Sequence, residues 1–224
     1  MNSELSGVIK AYATKPHKEL NAILLDKSKD SLIAILNSML TLYMNDKNSS
    51  TLREFITVSI AGYEQKETKL GYNGYKQSTK VGGKPIACEV KPRNIDTESN
   101  GKRKHNGGGN FTDYTPARFG KDLRENPNLL VSGFVNGQLI FIIQFPFKCP
   151  PFVKNLKEKL KKRFSGRGKS GPGQYLRSAQ FTYKDYEDYD GLKLVYLNKD
   201  SLASNKNQFS KGFYDFLVNF RKSK

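Results

Sequence analysis

Residues 129–135, the pair Asn136-Gly137 and residues 139–145 constrain the fold of this chain more than any other feature. Both flanking runs are almost wholly apolar, and Asn-Gly is a favoured pair for a two-residue hairpin turn. Strands that are apolar on both faces must be covered on both faces. The hairpin therefore predicts two central strands of a sheet with layers above and below it. Helical spacing elsewhere can supply those layers. Val8, Ile9, Leu20, Ile23 and Leu24 recur at that spacing, with Pro16 dividing two short pieces. Leu32, Ile33, Ile35, Leu36, Met39, Leu40 and Tyr43 form the broad apolar face of a further helix. Phe55 to Ile60 reads equally as a helix end or a strand. A helix is predicted over 112–125, another from Pro150-Pro151 carrying Phe152, Leu156, Leu160 and Phe164, and a closing one with Phe209, Phe213, Phe216, Leu217 and Phe220. Strands are predicted around 179–183 and 192–197. The expected class is α/β, a mixed central sheet flanked by helices. One domain is expected over 1–224, with a mainly helical part to residue 60, a core over 62–145 and a basic part over 150–224.

Charge narrows the partners. The chain has 38 Lys and Arg against 21 Asp and Glu, a net charge of +17. Such a field attracts polyanions, of which nucleic acid is the commonest. A membrane surface is the weaker candidate, since no apolar run is long enough to span a bilayer and no lipidation signal is present. The first residues do not resemble a secretory signal, so a cytoplasmic location is expected. Cys88 and Cys149 then read as two free thiols and not as a disulfide. With only two histidines as well, a structural zinc site is not expected.

The run from Lys84 to Pro92 carries the chemistry. In a strand, successive side chains alternate between faces. Ile86, Cys88 and Val90 then share one face, while Ala87, Glu89 and Lys91 share the other. An acid and an ammonium emerge side by side from a largely apolar strand, and burying charge is costly unless it is paired or binds an ion. Two readings follow: an edge-strand ion pair, or a site in which the carboxylate holds a metal and the lysine faces a reacting phosphate. Glu-x-Lys also occurs at Glu64 and Glu67, but there in a polar stretch.

Gly71-Tyr72-Asn73-Gly74-Tyr75, a glycine turn at Gly82-Gly83 and then Glu89-Val90-Lys91-Pro92 resemble the core of the PD-(D/E)xK nucleases, and more narrowly type II restriction endonucleases. The resemblance covers roughly residues 62–145. It implies a restriction-endonuclease-like fold, sequence-specific hydrolysis of double-stranded DNA with Mg²⁺, and a homodimer. Glu89 takes the place of the metal-binding acid, the Val90 carbonyl adds an oxygen, and Lys91 takes the place of the catalytic lysine. The chain departs from the pattern upstream, where Asn73 stands at the position of an aspartate. Asn73 serves as an amide ligand, or Glu67 or Glu64 supplies the carboxylate, or Asn73 replaces a natural aspartate, or Asn73-Gly74 is simply a turn.

Two basic, glycine-rich stretches are candidate DNA contacts. Lys102, Arg103, Lys104, His105, Asn106 and Asn110 lie in the first, and Arg167, Lys169 and the nearby Arg177 in or beside the second. Charge suits phosphates, glycine permits close backbone approach, and Arg, Lys and Asn can read base edges. A plain solvated loop is the alternative for each. The second stretch is not a phosphate-binding P-loop, because Arg163 stands where its first glycine belongs. Two rival functions remain: a non-catalytic nucleic-acid-binding protein in which Glu89 and Lys91 are a structural pair, and a repair or junction nuclease on the same core.

Overall fold

The computed structural model describes residues 3–45, 50–66, 71–79, 81–94, 104–135, 138–165 and 174–220. The chain opens with helices α1 (Ser3–Thr14), α2 (His17–Leu25), α3 (Lys29–Asn45) and α4 (Thr51–Ile60). Pro16 divides α1 from α2 as expected, sitting at the start of α2 in an extended conformation. The ambiguous run at residues 55–60 is helical, with Phe55, Ile56, Thr57 and Val58 buried. Its β-branched residues prefer strands only weakly, and packing between α1 and the sheet overrides that preference.

Two short strands follow, β1 (Glu64–Gln65) and β2 (Gly74–Lys76), and then the long β3 (Ile86–Asn94). Next come β4 (Gly109–Tyr114), α5 (Pro116–Glu125), β5 (Asn128–Val135) and β6 (Gln138–Pro146). The chain ends with α6 (Pro150–Phe164), β7 (Leu176–Phe181), β8 (Lys193–Leu197), α7 (Lys199–Ser204) and α8 (Lys211–Val218). The main sheet has the order β1-β2-β3-β5-β6-β8. Among the described strands only β3 and β5 run parallel, so the sheet is mixed. β4 and β7 form a separate antiparallel ribbon.

Both faces of the sheet are covered, which explains the unbroken apolar runs of β5 and β6. On one face Cys88, Val90, Leu130, Leu139 and Ile142 pack against α1 and α4. On the other Leu129, Val131, Phe141, Ile143 and Phe145 pack against α6, α8 and the β4–β7 ribbon. Each large apolar side chain withdrawn from water contributes roughly 1.5–3 kcal/mol. The two cysteines are free and buried, Cys88 on the first face and Cys149 on the second. Among the described residues no helix is long and apolar enough to cross a membrane.

The structure corrects the sequence reading at three places. The helix expected from Thr112 begins only at Pro116, where the Thr115 side chain accepts from the Arg118 amide. Thr112 itself lies on β4, because Phe111 and Tyr114 are buried through pairing with β7. Asn73-Gly74 is not a turn: Gly74 starts β2, and the positive-φ glycine in that approach is Gly71. The basic loop is solvated only in part. His105 is 3% exposed, stacked on Phe141 and edge-on to Phe209 and Phe213. The glycines after it serve packing inside the protein. A Cβ on Gly107 would strike the Phe213 ring, and one on Gly108 would strike the Phe181 carbonyl.

His105 makes stability acid-sensitive. Among the described residues neither ring nitrogen has a hydrogen-bond partner. Burial, with Arg93 nearby, takes its pKa from 6.5 down to about 3. Below pH 6.5 the unfolded chain gains a proton that the folded chain refuses. Stability is therefore full above that pH and falls by about 1.4 kcal/mol per pH unit toward the folded value. Urea denaturation at about pH 7 and about pH 5 should show this loss, and His105→Leu should remove most of it. An unchanged slope in His105→Leu would assign the acid loss to other groups.

Candidate active site

Strand alternation delivers Glu89 and Lys91 to the α5 face of β3, while Cys88 and Val90 face α4. In the parallel register Glu89 lies opposite Leu129 and Lys91 opposite Val131, so apolar side chains flank both charges. The Lys91 ammonium is 2.7 Å from Glu89 Oε1, and the two side chains are 17% and 12% exposed. The ammonium also sits 4.4 Å from the centre of the Phe111 ring. Gly109 lies against the lysine stem, where an added Cβ would be 2.8 Å from Lys91 Cβ. Strand β4 thus packs against Lys91 along its stem and at its ammonium.

The second carboxylate oxygen of Glu89 faces Arg118 Nη2 at 3.3 Å. Arg118 Nε in turn donates to Asp122 at 2.9 Å, one helical turn along α5. Asp122 is 1% exposed and accepts also from Tyr72 Oη at 2.9 Å and Tyr114 Oη at 2.8 Å. Burial and then Asp122 push both phenols above their ordinary pKa, which keeps them donors. Burial works against the charge on Arg118, but Glu89 and Asp122 outweigh it and hold the guanidinium above its ordinary value. Burial, then Glu89, pushes the Cys88 thiol up to about 12, so it is no nucleophile.

Asn73 extends the pairing of β2 with β3. Its Oδ1 accepts from the Val90 amide at 2.8 Å, and its backbone N–H donates to the Cys88 carbonyl at 2.9 Å. Pairing of β2 with β3 ends at Gly74 opposite Cys88. The Asn73 side chain continues the ladder by one bond, standing in for a backbone carbonyl. Its Nδ2 donates to Glu54 Oε2 at 3.0 Å, bringing in a carboxylate from α4. In a strand the carbonyl and amide of one residue point to the same edge. The Val90 carbonyl therefore faces the edge where Asn73 and Glu54 meet. Glu64 is exposed on β1, opposite Tyr75.

Of the sequence-derived site residues, Glu89, Val90, Lys91 and Asn73 come together. Lys104 is exposed and Asn106 half-buried. Asn110 accepts from the Ser178 hydroxyl at 2.8 Å across the ribbon, and Arg177 is exposed on β7. His105 lies within the aromatic core and presents no ring atom for a DNA contact. Glu67, Lys102, Arg103, Arg167 and Lys169 lie outside the described residues. Glu54, Tyr114, Arg118 and Asp122 are absent from the sequence-derived site, and Tyr72 enters it only within the Gly71–Tyr75 motif. Only Arg118 and Asp122 carried a signal, the four-residue spacing of a helical ion pair.

The oxygen donors available here are the Glu89 carboxylate, the Val90 carbonyl, the Asn73 amide and the Glu54 carboxylate. Hard oxygen donors with few carboxylates suit Mg²⁺, which keeps several waters and uses one or two acids. To reach such an ion Glu89 would have to give up an oxygen now held by Lys91 or Arg118. Among the described residues no three His, Cys, Asp or Glu side chains gather as a metal-binding group. Compared with known proteins, the chain matches no family model and no curated relative.

Asn73→Asp tests this arrangement. The change removes the donor to Glu54 and sets two carboxylates at the present 3.0 Å contact. Like charges that close raise the pKa of one acid. The added stability then exists at low pH and is lost as pH rises through the raised value. The variant should melt lower than the parent at neutral pH, recover toward mildly acidic pH, and recover again with Mg²⁺ or Ca²⁺. Recovery with acid but not with either cation would exclude a metal between these groups.

Proposed function

We propose that this chain is a Mg²⁺-dependent endonuclease of double-stranded DNA, built on a restriction-endonuclease-like core and acting at specific sequences as a homodimer. The observation that carries it is the Glu89–Lys91 pair at 2.7 Å, projecting from a central strand of a +17 chain. The order α4, β2, β3, α5, β5, with β3 parallel to β5, supports the nuclease core. The homodimer rests on the exposed apolar residues Ile33 and Leu36 of α3. Bound Mg²⁺ supplies charge neutralisation at the phosphate and a more acidic water. Glu89 and the Val90 carbonyl would hold the ion. Lys91, fixed between Glu89 and Phe111, orients the attacking water and meets charge developing on the phosphate. Arg118, anchored by buried Asp122, is a second cation aimed at the same place.

One observation favours the rival reading of a non-catalytic nucleic-acid binder: both oxygens of Glu89 are already engaged by cations. Incubation of plasmid DNA with protein and Mg²⁺ separates the readings. Discrete fragments support site-specific cleavage. Nicking or junction cutting supports a repair nuclease, and retardation without cleavage supports the binder.

A further inference from the structure

We propose that the cleft beside the Glu89–Lys91 pair is a track for one phosphodiester strand, gripped by Arg93, Lys104 and Lys159. The proposal deepens the endonuclease reading, and rests on it for the direction in which the strand continues. Arg93 stands two residues beyond Lys91, on the same face of β3 by strand alternation. Gly109, whose backbone abuts Lys91, also lines the cleft. Arg93 and Gly109 therefore set the cleft next to the charged pair. Asn155 and Lys159 of α6 form one wall, and Gln180 on β7 forms another.

The cleft encloses about 370 Å³ and collects three cations. Among the described residues, none of Arg93, Lys104 and Lys159 has an ion-pair partner. The one acid on the lining, Asp185, is turned to its own backbone and accepts from the Thr182 amide at 2.7 Å. Three cations against one carboxylate leave the lining net positive, which raises the local concentration of anions. The cations come from three separate elements, β3, the segment before β4, and α6, an arrangement that suits a linear polyanion. The lining also offers the side-chain amides of Asn106, Asn155 and Gln180, which can donate to phosphate oxygens without reading bases. The volume is that of a small-ligand pocket, which admits one backbone and not a double helix. Arg163 lies one helical turn beyond Lys159, and with Tyr175 and Arg177 it lines a second depression between α6 and β7. The track therefore continues away from the charged pair.

The test reads binding and not cleavage. Anisotropy of a labelled oligothymidylate of about a dozen nucleotides is measured in EDTA across a salt series. Each phosphate neutralised on a single strand contributes a log–log slope of about −0.7. Combining Arg93→Gln, Lys104→Gln and Lys159→Gln should reduce the slope by about 2 and weaken binding by about a hundredfold near 0.1 M salt. A control removes equal charge from the exposed side of α6 with Lys154→Gln, Lys157→Gln and Lys161→Gln, and its slope should stay close to the parent's. Arg93 and Lys104 are exposed, so their single Gln variants fold and should each lower the slope by about 0.7. Equal flattening by the control, or no flattening by the cleft variants, overturns the proposal. Cleft-dependent binding by a protein that never cuts DNA in Mg²⁺ keeps the track and removes the endonuclease reading.

Discussion

Lys91→Ala should lower Mg²⁺-dependent cleavage by about a thousandfold, within the range for losing a positioned proton-transfer group or charge stabiliser. The ammonium is held at 2.7 Å from Glu89 and 4.4 Å from the Phe111 ring centre, and no other lysine shares that face of β3. Glu89→Gln should abolish cleavage as well, with weaker Ca²⁺ binding, whereas Lys91→Ala should keep its metal. DNA affinity should survive in both, since it comes from many dispersed basic contacts. Single-turnover cleavage and Ca²⁺ titration measure the two effects separately. A structural ion pair makes the opposite forecast, lower stability with cleavage intact. Parental cleavage rates in Lys91→Ala would therefore move Glu89 and Lys91 out of the active site.

Asp122→Ala should be the most destabilising single change in this region, by about 3–5 kcal/mol, because it removes one of the two carboxylates that hold the Arg118 guanidinium and leaves two buried phenol donors unpaired. Asp122 is 1% exposed and is the shared acceptor for Arg118, Tyr72 and Tyr114. Its removal leaves two phenol donors and Arg118 Nε facing a void. Asp122→Asn keeps the shape and one acceptor oxygen, so its loss should be smaller. Urea denaturation of the two variants tests the order. The midpoint for Asp122→Ala should shift most, by roughly 2–4 °C per kcal/mol when followed as melting temperature. A loss below about 1 kcal/mol would mean that water replaces the carboxylate, as at an exposed pair. Cleavage should fall in Asp122→Asn more than stability alone explains, because Arg118 loses the anchor that aims it at Glu89.

Local chemistry made the central strands legible. Alternation in β3 is a property of the backbone, so Glu89 and Lys91 share a face whatever surrounds them. The hairpin of β5 and β6 was visible for the same reason, and its two-sided apolar pattern already required layers on both faces. Helix α5 was misplaced at its start because Phe111 and Tyr114 are buried by β7, a strand more than sixty residues further along. What surrounds the charged pair was likewise beyond local pattern. Arg118 reaches Glu89 across a separation of 29 residues, and Glu54 reaches Asn73 across 19. His105 sits among Lys, Asn and Gly in the sequence, which reads as a solvated loop. Its true neighbours are Phe141, Phe209 and Phe213, brought in by β6 and the approach to α8. Which side chains leave one strand together could be read from residue order, because it follows from the alternation of successive residues along an extended backbone. Which charges meet them and which polar groups are buried needed the folded chain, because those contacts join residues far apart in sequence and leave no local pattern.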